Sequence, residues 1–199
     1  IVIPEENKKY FSEKVLYLPN CYQPNQKRIE VSDKNLKKKD FGLPEDKFIF
    51  GCFNNGYKIT PSIFKRWMNI LKKFKSSVLW LLQDKELGRK NLWKEAEIQG
   101  IDRERIIFAG RIPLKDHLKR LEFIDLFLDT FPYNAHTTAS EAIRAGVPIL
   151  TLIGKSFPSR VASSILTNVG LEKLITYNLN DYEKNAISLA KNFKEIENL

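Results

Sequence analysis

Two cysteines and two histidines are all that this 199-residue chain carries of two side chains that commonly hold metals or form cross-links. Cys21 and Cys52 lie far apart and neither has a CxxC partner, so no zinc site and no disulfide framework is indicated; reduced thiols in a cytoplasmic protein are the expectation. The longest apolar runs, SVLWLL and VPILTLI, fall far short of the roughly 18 residues a membrane span requires, and no membrane partner is expected. No G-x-G-x-x-G follows a strand, which disfavours a nicotinamide dehydrogenase. No Asp-x-Asp occurs, which disfavours a metal-chelated nucleotide-sugar site. Gly154-Lys155-Ser156 lacks the earlier glycine of a P-loop, because Ile149 stands in its place. An initiator Met, a basic leader and a small-residue cleavage site are missing at the front, so the chain reads as a fragment of something longer.

With 43% apolar and 12% aromatic residues the chain can bury a sizeable core, in one domain or one domain plus an arm. Lys and Arg outnumber Asp and Glu by 33 to 24, which raises a polyanionic partner. The lysines are scattered, and the one basic cluster, KNLKKKD at residues 34–40, falls where a solvated linker is expected. A nucleic-acid module would need a strong salt slope and a basic-aromatic stripe, and no such stripe is present, so nucleic acid is not an expected partner.

From Phe48 onward, short apolar strands alternate with amphipathic stretches. FIFGCF is followed by PSIFKRWMNILKKF, whose Ile63, Phe64, Trp67, Ile70, Leu71 and Phe74 fall at helical spacing after a Pro at the helix start. SVLWLLQ then precedes a helix near NLWKEAEIQG that ends at Gly100, in the position helices favour for their C-cap. RIIFAG, LKDHLKRLEF, IDLFLDT, TASEAIRAG, VPILTLI and SRVASSILTNVG continue the alternation. About six β-α alternations with strands buried on both faces predict an α/β fold with a doubly wound parallel sheet, whose ligand lies beyond the carboxyl ends of the strands.

Three strand-to-helix loops carry chemistry. In NNGYKITP, Asn55 offers an amide, Lys58 a point charge for a phosphate, and Gly56 close backbone approach. In GRIPLKDHLKR, His117 and Arg120 share one face of a helix beginning near Pro113, placed to meet a base or phosphates. In FPYNAHTTASEAIRAG, His136, Thr137 and Thr138 stand at a helix N-terminus, where free N–H groups and the dipole favour an anion. Thr138-x-x-Glu141 also reads as a capping box, with Thr138 as N-cap. That reading leaves His136 unexplained, and His136 suits a departing phosphate whose charge grows during reaction. Glu141, one turn in, can accept from a ribose diol.

YLPNCYQPN, FGLPEDKFIFGCFNNGYKITP, SVLWLL, RIIFAGRIPLKDHLKR, DLFLDTFPYNAHTTASEAIRAGVP and SRVASSILTNVGL together resemble the O-GlcNAc transferase / SPINDLY family, glycosyltransferase family 41. The resemblance runs from about Tyr17 to about Tyr182, with YKITP and NAHTT its most specific segments. It implies a two-lobed GT-B fold, of which this chain is the Rossmann-like C-terminal lobe, in a compact bacterial form. It implies transfer of a sugar from a UDP-sugar to Ser or Thr of proteins, GlcNAc being the expected sugar, with no metal and no other cofactor. Relatives that glucosylate Asn or use GDP-fucose keep those donors as alternatives, and a non-catalytic nucleotide-binding scaffold is a further one.

Carried over by position, the resemblance implies that Lys58 contacts the donor diphosphate and supports the leaving group, and that His136, Thr137 and Thr138 clamp that diphosphate. Lys58 and His136 are thus the expected catalytic residues. His117 and Arg120 match a pair near the nucleotide base, His117 stacking on it. Asn55 stands where the animal enzymes have Gln, Glu141 where an Asp binds ribose hydroxyls, and Leu114 where a lysine contacts the nucleotide, with Lys115 one position on. Residues 1–40 are expected to be an interlobe arm or linker and residues 41–199 the donor-binding lobe, truncated at both ends and inactive alone. The acceptor protein would bind through a missing N-terminal lobe and tetratricopeptide repeats.

Overall fold

A computed structural model describes residues 1–23, 25, 30–83 and 85–199. Pro24 of the YLPNCYQPN segment and residues 26–29 of the expected arm lie outside the described residues. Six strands form one sheet: β1 Phe48–Cys52, β2 Ser77–Leu82, β3 Ile106–Ala109, β4 Leu126–Leu128, β5 Ile149–Leu152 and β6 Ile175–Thr176. Every neighbouring pair is parallel, in the order β3-β2-β1-β4-β5-β6. Seven α-helices among the described residues connect or flank the strands: α1 Pro61–Lys73, α2 Glu86–Ile98, α3 Leu114–Leu121, α4 Thr137–Arg144, α5 Val161–Asn168, α6 Leu179–Lys191 and α7 Phe193–Glu197.

Continuous burial of FIFGC in β1 and of ILTL in β5 follows from coverage on both faces, as parallel sheets require. Pro61 opens α1 behind Thr60, whose hydroxyl accepts from the Ile63 N–H at 3.4 Å. Gly100, just past α2, takes a left-handed φ of 72° that a Cβ would strain. α2 itself starts at Glu86, ahead of the NLWKEAEIQG segment. Two elements escape the strand-helix pattern. β6 is two residues long, too short for a periodicity, and α6 buries Tyr182, Ala186, Leu189 and Ala190 beneath an otherwise polar sequence.

The chain winds outward from β1 through β2 to β3, then crosses back so that β4 lies beside β1, with Phe50 opposite Leu126. The loops after β1 and β4 therefore leave the sheet in opposite directions and open a crevice between them. One buried carboxylate ties that edge together. Asp129 Oδ1 accepts from the Ala135 N–H at 2.7 Å, the Thr130 N–H at 2.8 Å and the Asn54 amide at 3.3 Å, while Oδ2 accepts from the Thr151 hydroxyl at 2.6 Å. Burial pushes the Asp129 carboxyl up to about 7, with the Thr151, Ala135 and Thr130 bonds and the Lys58 charge acting the other way. α6 reaches the same place from behind: Trp67 Nε1 donates to the Tyr182 hydroxyl at 3.1 Å, which donates to the Asp129 carbonyl at 2.9 Å. Glu183, next in α6, takes bonds from Lys73, Asn69 and Arg66 of α1.

Two outcomes follow. A Cβ on Gly51 in β1 would run into the Ile124 side chain, so Gly51→Ala is expected to cost roughly 1–3 kcal/mol in urea unfolding. Asp129→Ala orphans the Thr130 and Ala135 N–H groups, while the Asn54 amide keeps its bond to the Thr130 hydroxyl, and should cost on the order of 3 kcal/mol. Asp129→Asn mimics the protonated acid, its amide donating to the Thr151 oxygen, and should cost far less. Because the folded carboxyl holds its proton up to about pH 7 while the unfolded chain releases it near 3.8, wild type should lose stability relative to Asp129→Asn as pH rises through that window. Melting curves from pH 4 to 8 check this.

Candidate functional site

At the crevice between β1 and β4 lies a cleft of about 350 Å³, lined by Asn55, Lys58, His117, Arg120, Thr138 and Glu141 of the expected site residues. His136 and Thr137 stand next to Thr138 in the chain but do not line it. The cleft is built from strand ends: Asn55 and Lys58 follow β1, His117 and Arg120 sit on α3 after β3, and Thr138 and Glu141 on α4 after β4.

Lys58 ends a short 3-10 turn, Gly56–Lys58, and is only 9% exposed. Its Nζ donates to the Asn134 carbonyl at 2.9 Å and sits 3.9 Å above the centre of the Tyr133 ring. The β1 and β4 loops are thereby joined across the crevice. Burial lowers the Lys58 pKa, while the Asp129 carboxylate opposes the shift. A partly desolvated ammonium gains more from an arriving anion than a solvated one does.

Arg120 is 2% exposed and works inside the protein. It donates to the Gly110 carbonyl at 2.7 Å and, through Nε, to His117 Nδ1 at 3.0 Å, with its guanidinium 4.8 Å from the Phe53 ring centre. Burial pushes it down to about 10, so it stays a cation at neutral pH. Since Nε–H can only donate, His117 Nδ1 must accept and the ring proton resides on Nε2. Nε2 faces Glu141 Oε2 at 3.6 Å, and the ring lies 5.3 Å from Phe53. Arg120 thus fixes the direction of His117 in the cleft that both residues line.

α4 begins at Thr137 with His136 in the N-cap position and no side-chain cap. The capping-box reading is therefore corrected: Thr138 is the second helical residue, Glu141 is not at the third, and both side chains face the cleft. His136 Nδ1 is 3.0 Å from the Tyr22 hydroxyl, and Thr137 Oγ1 accepts from the Gln23 amide at 2.9 Å. Burial and the nearby Lys58 charge lower the His136 pKa; the Pro158 carbonyl opposes this, although the buried Nε2 has no well-formed hydrogen bond among the described residues.

One contributor, Arg111, was not foreseen from the sequence. Arg111 donates to Asn55 Oδ1 at 2.9 Å and lines the cleft, and a basic residue straight after β3 was the available signal. Asn54 lines it too and keeps a buried Oδ1 without a partner among the described residues. Leu114 lines the cleft and Lys115 does not. Lys34 of the basic cluster pairs with Asp116 at 2.7 Å. Among the described residues, no group of three or more His, Cys, Asp or Glu side chains is placed to hold a metal ion.

Comparison with known proteins places this geometry. The model of Glycosyl transferase family 41 matches residues 25–199. A probable UDP-N-acetylglucosamine–peptide N-acetylglucosaminyltransferase SEC from Arabidopsis thaliana is 41% identical over 100% of this chain and 21% of its own length. A UDP-N-acetylglucosamine–peptide N-acetylglucosaminyltransferase from Caenorhabditis elegans is 33% identical over 80% of this chain and 14% of its own. The chain thus spans about a fifth or less of the length of these relatives. The solved structure of a mutant O-GlcNAc transferase from Thermobaculum terrenum superposes with a TM-score of 0.82 at 26% identity, covering 98% of this chain and 37% of that one. The α/β sheet is that of the C-terminal lobe of a GT-B enzyme, and the chain belongs to glycosyl transferase family 41.

Proposed function

We propose that this chain is the donor-binding lobe of a protein glycosyltransferase that moves a sugar, GlcNAc by preference, from a UDP-sugar to Ser or Thr of an acceptor protein. The observation that carries the reading is the cleft at the β1–β4 crevice. It sets a buried ammonium, an oriented imidazole and a helix N-terminus around one space of a nucleotide's size.

In this reading His117, its ring fixed by Arg120, packs against the base, and Glu141 accepts from the ribose hydroxyls. Lys58 and the first turn of α4, with the Thr138 hydroxyl, receive the diphosphate. Arg111 adds a second cation at the rim while it holds Asn55. As the acceptor hydroxyl attacks the anomeric carbon, the bond to the diphosphate oxygen breaks and negative charge grows there. Lys58 stabilises that charge from a fixed position, so little reorganisation is needed during reaction. His136 supports the α4 end from beside the cleft. Cation charge from lysine, arginine and the helix dipole makes a metal unnecessary in this scheme. Residues 1–40 serve as the arm to the other lobe, which would supply the acceptor site.

Calorimetric titration with UDP and GDP, without added metal, tests the nucleotide. UDP is expected to bind more tightly than GDP, and His117→Ala to lose at least about tenfold in affinity. GDP preference would replace the UDP reading with a fucosyl donor, and no binding of either nucleotide would overturn the donor-lobe reading. In the full-length enzyme, Lys58→Ala should lower kcat by roughly 100-fold or more with a smaller change in donor KM. Near-normal turnover would remove Lys58 from the mechanism.

A further inference from the structure

His136 is held from outside the lobe's own sheet. Its partner, Tyr22, is 114 residues away in the chain, in the segment that precedes the first strand. The Tyr22 ring stands edge-on to Phe157, with centres 5.3 Å apart, and edge-on to His136 at 6.0 Å, so its hydroxyl reaches Nδ1 at 3.0 Å from a fixed direction. Gln23 adds the bond to Thr137 Oγ1. Two consecutive arm residues therefore grip the two residues that open α4.

The hydrogen-bond chemistry assigns roles. The Tyr22 hydroxyl stands 3.0 Å from Nδ1, and a phenol O–H is a stronger donor than an imidazole N–H, so the favoured arrangement leaves the ring proton on Nε2. Nδ1 is then a bare acceptor, and the Tyr22 hydroxyl donates to it.

We propose that Tyr22 is a positioning residue for His136: its hydroxyl fixes the ring proton on Nε2 and sets the imidazole at the mouth of α4. The proposal deepens the donor-lobe reading and rests on it for its catalytic consequence. By pinning His136 and Thr137 to the arm, the Tyr22-Gln23 pair keeps the first turn of α4 in place, leaving Thr138 and the helix N–H groups to face the cleft. Arm and site then act together, and the arm is more than a tether.

The test uses Tyr22→Phe, which keeps the ring against Phe157 and removes only the hydroxyl. Because the chain has two histidines, long-range 1H–15N spectra hold two imidazole patterns, and His117→Gln assigns them. In the wild type without nucleotide, His136 should show the Nε2–H tautomer. In Tyr22→Phe it should shift toward a mixture while the His117 pattern stays unchanged. In the full-length enzyme the same change should lower kcat roughly tenfold with donor KM altered less than about twofold. An unchanged His136 tautomer in Tyr22→Phe, or a changed tautomer with unchanged kcat, overturns the proposal. The spectra need no nucleotide, so a failure here is separate from a failure of UDP to bind.

Discussion

The Asp129 carboxylate is the interaction on which the functional end of the sheet depends. Parallel strands end in loops whose backbone N–H groups have no ladder to join, and burying them unpaired would cost about 1–3 kcal/mol each. Asp129 gathers the Thr130 and Ala135 donors on one oxygen and the Thr151 hydroxyl of β5 on the other, and draws in the Asn54 amide from the β1 loop. One side chain thereby sets the spacing of three strand ends. The hydroxyl partner matters because it can donate or accept. The network stays satisfied whether or not the carboxyl is ionised, which makes a shift to about 7 tolerable in a fully buried place.

Around this anchor the cleft concentrates positive charge that is partly stripped of water. Lys58 and Arg120 are both buried, and burial disfavours the charged form of each. The protein offsets that with carbonyl acceptors, Asn134 for Lys58 and Gly110 for Arg120, and with aromatic faces, Tyr133 and Phe53. These direct partners are neutral, so the positive field is tempered only by carboxyl groups further off, such as Asp129 beside Lys58 and Glu141 across the cleft. The two cations divide the work: Lys58 keeps donor capacity beyond its one bond to Asn134, while Arg120 spends Nε on holding His117 and Nη1 on the Gly110 carbonyl.

Much of this could be read from the residues. Strands β1, β2 and β5 announce themselves as unbroken apolar runs, and α1 through the spacing of Ile63, Trp67 and Ile70, because burial on both faces or along one stripe leaves a local imprint. Asn55, Lys58, His117, Arg120 and Glu141 were legible for a related reason: polar residues placed just after apolar strands in a doubly wound sheet have one crevice to face. β6 left no imprint because two residues carry no period, and α6 because its buried positions are few and interleaved with polar and charged residues. Asp129 was read only as part of the IDLFLDT strand, since a carboxylate after LFL fits a solvated turn as well as a buried hub and nothing local tells the two apart. The capping-box motif misled for the same reason: a spacing of three between Thr138 and Glu141 fits either a helix start or two neighbours one turn apart, and only the position of His136 decides.

The contacts that sequence patterns cannot carry are those between segments far apart in the chain, and they are the ones that make the site a unit. Lys58 meets Asn134 across 76 residues, Trp67 meets Tyr182 across 115, and Tyr22 meets His136 across 114. The first and third link the β1 loop and the segment before β1 to the loop after β4, and Tyr182 carries the second on to the Asp129 carbonyl at the start of that loop. That loop has little regular structure between Asp129 and α4, so its shape is imposed from outside: from below by the carboxylate, from the side by the ammonium, and from above by the arm. A loop held from three directions loses little further freedom when a ligand arrives, so little of the ligand's binding energy is spent on ordering it.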